Sequence, residues 1–500
     1  MATRVTFSKV CIALGLPTAD ELMAHARHEI EQGERFLEFR LDRLREPCSG
    51  AAVIQSLTKE FPDTTILATC RRKDNHGGFQ GSIEAQLQIL GVAVDGGARA
   101  VDLEIESAEV RGLPLEPLRR VSFIVSYHNW ESTPALDPII KRMTRIDADI
   151  YKLVTTAKKP SDVVRVLSAL KPAARSKWVL LAMGDMGFPT RVLAPSAGFT
   201  YTYAAPSSVE GTASGQVSAR TLRHLYRVEK ISKSAKIYGV IADPVKHSIS
   251  PAVHNRGFQS RRLDAVYLPF LVPPPHLRDF MQTCDTLPVA GFSVTIPHKQ
   301  RIMRYLDAID PLARRIGAVN TVWKKAGKWR GTNTDIYGVT GPLSRKLKLA
   351  KSTVLVAGSG GAARGAVFAL LDAGAKVTIT GRSPDKVKSL ARATGAQTAM
   401  ADGLESQYFD AVVHATPVGM HPHEDACYFD GEIPGDLVFD MVYNPAKTLL
   451  LKRAEEQGRE TIPGLEMFME QAARQFEIFT GEQAPRPAME KAAVEALGLS

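Results

Sequence analysis

The sequence predicts an α/β protein in which an N-terminal (β/α)8 barrel is followed by a two-domain unit containing a Rossmann fold. Within roughly the first 215 residues, eight short apolar runs alternate with stretches of helical spacing. From Ser352 onward, an apolar strand, a glycine-rich turn and a helix follow one another, as in a β–α–β unit. A polar, basic segment near residue 233 separates the two halves, so we expect a domain boundary there.

The composition is that of an ordinary globular chain. It has 500 residues, of which 44% are hydrophobic and 23% charged, and this length predicts two or three domains. No apolar run approaches the roughly 20 residues of a membrane helix, and "VCIALGL" near the start is too short for a signal peptide. The five cysteines are scattered, with no C-x-x-C pair, which favours a reducing cytoplasm.

The charge of the chain favours small anionic substrates. The formal net charge is +10, but the basic residues are dispersed rather than clustered, so we expect no nucleic-acid partner. His421 and His423 flank a proline with no third ligand nearby, which predicts a loop and no metal site. Nothing in the sequence favours one oligomeric state over another.

The predicted barrel is defined by its eight apolar runs. These strands are expected at residues 9–14, 36–42, 64–71, 100–105, 122–129, 149–155, 178–184 and 199–205. Helical spacing predicts helices at 19–33 and 161–171, and a last helix over 222–236 that runs into the basic linker.

Polar residues stand at the ends of these predicted strands, where barrels of this kind carry their chemistry. They are Arg40, Arg71, Glu104, His128, Lys152 and Arg191. Lys152 is unusual because it lies within the apolar run "DIYKL". A desolvated lysine among other cations loses its proton more readily, and the neutral amine can attack a ketone. Taken singly, a snorkelling lysine or a core histidine is the commoner interpretation, but their coincidence in one barrel favours chemistry.

The second half begins with apolar runs at 236–242, 265–272 and 289–296 and a hairpin pattern over 318–335. Small polar groups lie beside glycine or proline in "PVKHSISP", "GFSVTIPHK", "GAVNTV" and "GTNTD", which predicts a pocket built from loops. Lys299 and Asp335 are the expected proton-transfer pair, because a carboxylate can orient an ammonium that protonates a reduced ketone.

The segment "TVLVAGSGGAARG" predicts a dinucleotide turn. Gly358, Gly360 and Ala363 fit G-x-G-x-x-A, a pattern that lets the backbone approach a pyrophosphate at a helix N-terminus. The next strand, "KVTIT", ends in "GRSPDK" rather than in an acidic residue. Arg382 and Lys386 are suited to a 2′-phosphate, so we expect NADP rather than NAD.

Residues 236–480 resemble shikimate dehydrogenases, through "HSISP", "TIPHK", "GAVNT", "NTD", "GSGGAAR" and "QAA" in the family's order. The resemblance implies an α/β substrate domain and a Rossmann domain for NADPH, with Lys299 and Asp335 catalytic. It implies substrate contacts for Ser248, Ser250, Thr295, Asn320 and Gln471. It implies cofactor contacts for Gly358, Gly360, Gly361, Ala362, Arg382, Ser383, Lys386 and Gly464. The segments "ATPVGM" and "MVYNP" would close over the nicotinamide, and Ser293 stands where bacterial members often have Asn.

Residues 8–226 resemble type I 3-dehydroquinate dehydratases, through "EFRLD", "TCR", "VDLEI", "SYHNWESTP", "DIYKL", "MGFPTR" and "TASGQ". The resemblance implies that Lys152 forms a Schiff base and that His128 is the general acid/base. It implies substrate contacts for Glu38, Arg40, Arg71, Arg191, Thr212 and Gln216, with Arg191 on the carboxylate.

Three positions depart from the dehydratase pattern. His76 stands where the family has a glutamate beside the catalytic histidine, leaving Asp74 or Glu104 as replacement partners for His128. In "TCRR", either Arg71 or Arg72 can be aligned with the family's substrate-binding arginine. Thr212 stands where serine is common.

The two resemblances fit together, because the dehydratase's product is the reductase's substrate. They imply a fused enzyme that converts 3-dehydroquinate to 3-dehydroshikimate and then to shikimate. A catabolic quinate/shikimate dehydrogenase fused to the same dehydratase, or a regulatory pseudoenzyme that binds these metabolites, are the alternatives. The expected domains are a barrel over 1–232, a substrate domain over 233–340 completed by helices in 464–500, and a Rossmann domain over 341–463.

Overall fold

The computed structural model describes residues 5–207, 209, 211–246, 248–400, 404 and 407–498. The chain divides into two compact units. The first comprises residues 1–235 and 269–287, and the second comprises residues 236–268 and 288–500. Among the described residues, no helix is both long enough and apolar enough to cross a membrane.

The first unit is a nearly closed barrel of eight parallel strands. The strands are β1 Val10–Leu14, β2 Phe36–Arg40, β3 Thr65–Thr69, β4 Ala100–Glu104, β5 Ser122–His128, β6 Ile150–Thr156, β7 Trp178–Met183 and β8 Thr202–Ala204. Each pairs with the next along the chain as far as β7, and β8 pairs with β1. The predicted barrel and its eight strands are therefore confirmed.

Helices connect the barrel strands. They are α1 Ala19–Glu31, α2 Gly50–Glu60, α3 Ile83–Asp95, α4 Ile105–Ala108, α5 Leu136–Met143, α6 Ser161–Leu167 and α7 Phe188–Ser196. Strands β1 to β4 and β7 are buried at every position, so their alternating side chains fill either the barrel interior or the layer beneath the helices. Charged residues on the inner face of these strands therefore meet one another away from water.

Two expectations for the barrel are wrong. In place of a helix over 222–236, the chain forms one short π-helical segment, Thr221–Leu225. The segment cannot extend as a regular helix because Arg227 has a left-handed φ of 53°. Arg191 does not lie at a strand end but within α7, where it is buried.

The second unit contains two six-stranded sheets. The mixed sheet has the order β10-β9-β11-β13-β14-β12 and the parallel sheet the order β17-β16-β15-β18-β19-β20. The mixed sheet contains β9 Lys236–Ala242, β10 Ala265–Leu271, β11 Val289–Val294, β12 Ala308–Ile309, β13 Thr321–Lys325 and β14 Lys328–Thr332. The parallel sheet contains β15 Thr353–Ala357, β16 Lys376–Thr380, β17 Gln397–Thr398, β18 Phe409–His414, β19 Gly435–Asp440 and β20 Glu460–Ile462.

The predicted hairpin and dinucleotide-binding fold are both present. Strands β13 and β14 pair antiparallel across a short turn, and β15, the next helix and β16 form the expected parallel β–α–β unit. The helices of this half of the chain are α8 Ser250–Ser260, α9 Leu277–Thr286, α10 Pro311–Ile316, α11 Asp335–Lys346, α12 Gly361–Asp372, α13 Pro384–Thr394, α14 Leu449–Glu456, α15 Gly464–Thr480 and α16 Arg486–Ala496. By the grouping above, α9 belongs to the first unit.

Candidate active sites

Lys152 points into the barrel from the middle of β6 and is only 4% exposed. Its Nζ lies 2.9 Å from Asp102 Oδ2, 2.9 Å from the Tyr203 hydroxyl and 3.5 Å from Glu38 Oε1. We expected this lysine to lie among other cations, and Arg71 does share its partner Asp102. Its nearest charged neighbours are two carboxylates, contributed by β2 and β4.

Asp102 joins the lysine to an arginine. While its Oδ2 accepts from Lys152, its Oδ1 accepts from Arg71 Nη2 at 3.0 Å and from the Ser126 hydroxyl at 2.6 Å. Burial alone would raise the pKa of this carboxyl, but Lys152 and Arg71 together lower it to about 2. Asp102 is therefore an anion that neutralises two buried cations.

His128, at the end of β5, also faces Arg71. Arg71 Nη1 lies 2.9 Å from His128 Nδ1, and a guanidinium can only donate, so Nδ1 accepts and the neutral ring carries its proton on Nε2. Burial, followed by the positive charge of Arg71, lowers the pKa of His128 well below its usual value of 6.5. The histidine is thus held neutral by a cation rather than paired with a carboxylate.

The two residues expected to replace the family's glutamate lie elsewhere. Glu104 Oε1 accepts from the backbone N–H of Arg72 at 3.0 Å, and its Oε2 accepts from Gln86 at 2.9 Å. Asp74 pairs with the side chain of Arg72 at 2.7 Å on the surface. Arg71 is 2% exposed and pairs with Asp102, whereas Arg72 pairs with Asp74 on the surface, so Arg71 is the arginine that lies beside His128.

His76 reaches His128 through an aromatic ring. The His76 and Trp130 ring centroids are 5.1 Å apart, and Trp130 stacks on His128 at 5.9 Å with an interplanar angle of 17°. His76 and His128 thus both contact the Trp130 ring. The Trp130 indole N–H is buried and has no hydrogen-bond partner among the described residues.

The three barrel arginines differ in their partners. Arg71 pairs with Asp102, and Arg40 forms a two-point salt bridge with Asp42 at 2.8 and 2.9 Å. Arg191 instead donates to backbone oxygens, to Ser214 at 3.2 Å and to Tyr203 at 3.5 Å.

Arg191 carries an unbalanced charge. Within the described part of the chain it forms no salt bridge, and its Nε is buried without a partner. Burial lowers the pKa of Arg191 to about 10, so the guanidinium stays charged near neutral pH. Ser214 belongs to the loop after β8 that also holds Thr212 and Gln216, which places these predicted contacts near Arg191.

In the second unit, Lys299 and Asp335 form the expected pair. Lys299 Nζ donates to Asp335 Oδ2 at 2.6 Å, and the Asn320 side-chain amide donates to Asp335 Oδ1 at 2.8 Å. Asp335 begins α11, where the helix dipole favours its charge. Both oxygens of this carboxylate are thus held, and the ammonium is held by one of them.

The remaining predicted substrate contacts of this unit occupy several elements. Ser248 Oγ accepts from the backbone N–H of Ser250 at 3.3 Å at the start of α8. Thr295 follows β11 directly, and Gln471 lies on α15. Of these predicted residues, Asn320 is the one in direct contact with the lysine–aspartate pair.

Ser293, where bacterial members often have Asn, belongs to a buried network. Its Oγ accepts from the Tyr267 hydroxyl at 2.6 Å and donates to Gln475 Oε1 at 2.8 Å. The Gln475 amide reaches the backbone oxygen of Asn320 at 3.3 Å. Ser293 is therefore linked to Asn320 through Gln475.

The dinucleotide turn has room for a pyrophosphate. A Cβ placed on Gly360 or Gly361 meets no atom within 4 Å, and α12 begins at Gly361 with no side-chain cap. The first N–H groups of α12, including that of Ala362, are therefore available to an anion. Gly358 has a φ of 136°, and a Cβ there would lie 2.8 Å from the Ala415 backbone oxygen, so glycine is required.

Basic side chains lie beside this turn. A Cβ on Gly381 would lie 3.8 Å from the backbone of Gly358, and Arg382 and Ser383 follow it before α13. Arg382 and Lys386 are exposed at this position. The residues present fit a phosphorylated dinucleotide.

The histidine pair expected to form a loop does so. His421 Nδ1 contacts Glu424 Oε1 at 2.8 Å, in a segment between β18 and β19. Across the described residues, no group of three or more His, Cys, Asp or Glu side chains is placed to hold a metal ion.

Three family descriptions match successive parts of the chain. Type I 3-dehydroquinase matches residues 10–233, and the shikimate dehydrogenase substrate binding domain matches residues 240–322. The shikimate 5′-dehydrogenase C-terminal domain matches residues 464–494.

One relative spans both halves. The bifunctional 3-dehydroquinate dehydratase/shikimate dehydrogenase, chloroplastic, of Arabidopsis thaliana is 33% identical over 96% of this chain and 83% of its own length. The chain belongs to this bifunctional family. The NADP(+) shikimate dehydrogenase of Oleidesulfovibrio alaskensis is 40% identical over 50% of this chain and 91% of its own length. The shikimate dehydrogenase structure from Aquifex aeolicus covers 53% of this chain and 99% of that chain, with 33% identity and a TM-score of 0.50.

Membership of the bifunctional family does not favour the two alternatives, a catabolic enzyme and a regulatory pseudoenzyme. The residues that sequence reasoning missed are Asp102, Tyr203 and Gln475, which contact predicted site residues directly. Asp102 left a usable signal, because a lone aspartate within the apolar run "VDLEI" needs a cationic partner when buried. Tyr203 and Gln475 left none, since buried tyrosines and helical glutamines are common.

Proposed function

We propose that this chain dehydrates 3-dehydroquinate to 3-dehydroshikimate in its barrel and reduces 3-dehydroshikimate to shikimate with NADPH in its second unit. The supporting observation is that one chain carries both a buried lysine inside a parallel barrel and a lysine–aspartate pair in a unit with a dinucleotide turn. A single polypeptide would then perform two consecutive steps.

Substrate binding in the barrel begins with charge. Arg191 has a buried positive charge and no carboxylate partner in the described structure, which suits the substrate carboxylate. The hydroxyl groups of the substrate would be bound by Glu38, Arg40, Arg71, Thr212 and Gln216. A salt bridge to Asp42 keeps Arg40 in place.

Lys152 would then act as the nucleophile. Its ammonium would first pass a proton to Glu38, whose Oε1 lies 3.5 Å away. The neutral amine then attacks the ketone, and the same proton leaves with the carbinolamine hydroxyl as water to give an iminium. The iminium acidifies the neighbouring carbon, His128 removes a proton from that carbon, and the same proton leaves with the departing hydroxyl as water. Hydrolysis of the remaining iminium releases 3-dehydroshikimate and restores Lys152, so the overall change is the loss of one water.

Arg71 has a second part in this scheme. In the free protein it donates to His128 Nδ1, the nitrogen whose lone pair would otherwise accept a proton. Once Arg71 turns toward a substrate hydroxyl, that nitrogen is released and the imidazole can carry a proton. Binding of the substrate would thus free the base.

In the second unit, Lys299 would protonate the ketone oxygen as it becomes an alcohol. Asp335 holds the ammonium at 2.6 Å, and Asn320 holds the other carboxylate oxygen. Ser248 and Ser250 would bind the carboxylate, and Thr295, Asn320 and Gln471 the hydroxyls. NADPH, when bound, supplies the hydride.

The cofactor would lie on the glycine turn, with Gly358, Gly360, Gly361 and Ala362 at the pyrophosphate. Arg382, Ser383 and Lys386 would bind the 2′-phosphate, and Gly464 would border the other end. Replacing Arg382 with Gln should raise the KM for NADPH at least about tenfold with little effect on NADH. An equal loss with both cofactors would contradict the phosphate assignment.

The decisive experiment supplies only 3-dehydroquinate and NADPH and follows NADPH oxidation while assaying shikimate. Lys152→Ala should abolish oxidation from 3-dehydroquinate yet leave it intact from 3-dehydroshikimate. Lys299→Ala should accumulate 3-dehydroshikimate. Borohydride should fix substrate covalently to the wild type and not to Lys152→Ala. Binding of both metabolites with no turnover and no adduct would contradict the proposal and favour a regulatory protein.

We propose three functional domains with the limits given above. They are the barrel over 1–232, the substrate domain over 233–340 with 464–500, and the Rossmann domain over 341–463.

The proposed partners are small molecules. We propose the cytoplasm as the location, because five scattered cysteines with no C-x-x-C pair are typical of a reducing compartment. Labelling of intact cells fractionated by compartment would test this location.

A further inference from the structure

A buried histidine–aspartate pair joins two strands of the parallel sheet in the second unit. His414 ends β18 and Asp440 ends β19, and the two residues are opposite each other in the parallel register. Both are 0% exposed, and His414 Nδ1 lies 2.8 Å from Asp440 Oδ1. Neither residue has a part in the reactions proposed above, although burying such a pair is costly unless it is fully hydrogen-bonded.

Each partner also holds the loop that follows its own strand. Asp440 Oδ1 accepts from the Val442 N–H at 3.0 Å, and Oδ2 accepts from the Thr448 hydroxyl at 2.5 Å. His414 Nε2 lies 2.5 Å from Thr416 Oγ1, which also accepts from the Val418 N–H at 3.2 Å. The pair therefore fixes both loops, 415–420 and 441–448.

These two loops contact Gly358 and Gly464, the glycines that border the proposed cofactor site, which is called the cofactor crevice below. A Cβ on Gly358 would lie 2.8 Å from the Ala415 oxygen, and a Cβ on Gly464 would lie 2.3 Å from the Val442 oxygen. Ala415 adjoins His414, and Val442 is held by Asp440. A shift of either loop by a few tenths of an ångström would close or widen the crevice at these glycines.

The position in the sheet identifies the end of the crevice concerned. The order β17-β16-β15-β18-β19-β20 places the switch point between β15 and β18. On the β16 side, Arg382 in the loop after the strand and Lys386 on α13 suit the adenosine phosphate. The loops after β18 and β19 therefore border the nicotinamide half.

We propose that His414 and Asp440 are positioning residues for the nicotinamide end of the cofactor site, an inference that rests on the proposed reductase function. Asp440 can only accept, so Nδ1 of His414 donates to it. Nε2 is then directed at Thr416 and orients its hydroxyl and the turn that follows. Through these bonds the pair sets the distance between Ala415 and Val442 and hence the fit of the cofactor.

The test compares three variants of the full-length chain. His414→Phe keeps an aromatic ring but removes both hydrogen bonds, whereas His414→Asn retains one donor for Asp440. Val412→Ala is the matched control, because Val412 is 0% exposed on the same strand but lies in the apolar core. The readouts are the Kd of NADP+ by calorimetry, the separate KM and kcat values of the reductase, and the dehydratase rate as a check on the rest of the chain.

We expect His414→Phe to raise the Kd of NADP+ and the KM for NADPH by about 10- to 100-fold, with the KM for 3-dehydroshikimate changed far less. His414→Asn should recover part of the loss, and Val412→Ala should lower the melting temperature without weakening NADP+ binding. An unchanged Kd in His414→Phe, or an equal rise in Val412→Ala, would overturn the inference. A wild type that neither binds NADP+ nor reduces 3-dehydroshikimate would instead overturn the proposed function itself, and this inference with it.

Discussion

At the scale of single residues, the barrel interior is arranged around Asp102. This carboxylate neutralises Lys152 and Arg71 at once, and Arg71 in turn faces His128. Three groups whose charges govern the proposed chemistry are thus connected through one anion. Arg191 stands apart, since within the described structure it donates to backbone oxygens and forms no salt bridge.

Arg71 should control the protonation of His128. After burial, its positive charge is the largest influence lowering the pKa of His128, so a neutral glutamine at this position should raise that pKa. His128 must be deprotonated to act as a base. We therefore expect the acid limb of the dehydratase kcat/KM profile to move to higher pH in Arg71→Gln. A profile that merely falls in height, with no displacement, would contradict this assignment.

Arg191 should govern affinity for 3-dehydroquinate. Arg191→Gln removes the buried charge, and a charge-assisted hydrogen bond is worth about 1.5–3 kcal/mol, equivalent to roughly a 10- to 100-fold rise in KM. Steady-state kinetics on both substrates would measure it, with the reductase activity of the same chain as the internal control. Retention of the wild-type KM would show that the carboxylate binds elsewhere.

The sequence indicated most of these residues but not how they pair. Lys152 is visible as a charge in an apolar run, whereas the carboxylates facing it come from β2 and β4, far away in the chain. Which inward side chains meet in a barrel depends on strand tilt and register, which apolar periodicity does not specify. For that reason the sequence did not reveal the carboxylates that face Lys152, and the role of the lysine itself stays a prediction.

At the scale of elements, the glycine turn between β15 and α12 is tightly constrained. Gly358 combines a left-handed φ with close approach to Ala415. Gly358→Ala should strain the backbone by about 1–3 kcal/mol and displace the loop after β18. The KM for NADPH should rise by at least about tenfold.

The control for that change is Gly365→Ala, on the helix α12 that follows the turn, where an added Cβ meets no atom within 4 Å. Its effect on the KM for NADPH should be small, and dehydratase activity should survive in both variants. Equal losses in the two variants would mean that the close approach at Gly358 does not matter for the cofactor.

Strands and helices could be predicted from the sequence where apolar runs repeat over a long stretch. Apolar runs separated by helical spacing predicted all eight barrel strands and the β–α–β unit, because burial on both faces of a parallel strand leaves a clear mark. The helix over 222–236 was wrong because local spacing does not reveal that Arg227 turns left-handed and ends the segment.

At the scale of the whole molecule, two compact units should respond separately to ligands. NADP+ is expected to bind the second unit alone, and a ligand at about 100 times its Kd stabilises its site by about 2.7 kcal/mol. Calorimetry should therefore show an unfolding transition that rises with NADP+ and another that does not. In Lys152→Ala, the NADP+-dependent rise should be unchanged. One transition that shifts as a whole would mean that the units unfold together.

Arg191 also has a practical consequence for the choice of buffer. A buried cation with no counter-ion among the described residues is a site that small oxyanions can enter before the substrate does. Phosphate and sulfate should therefore compete with 3-dehydroquinate, and the apparent affinity of the barrel should depend on the salt chosen rather than on ionic strength alone. Kinetic constants measured in a zwitterionic buffer with a bulky counter-ion would give the affinity of the barrel for 3-dehydroquinate without competition from buffer anions.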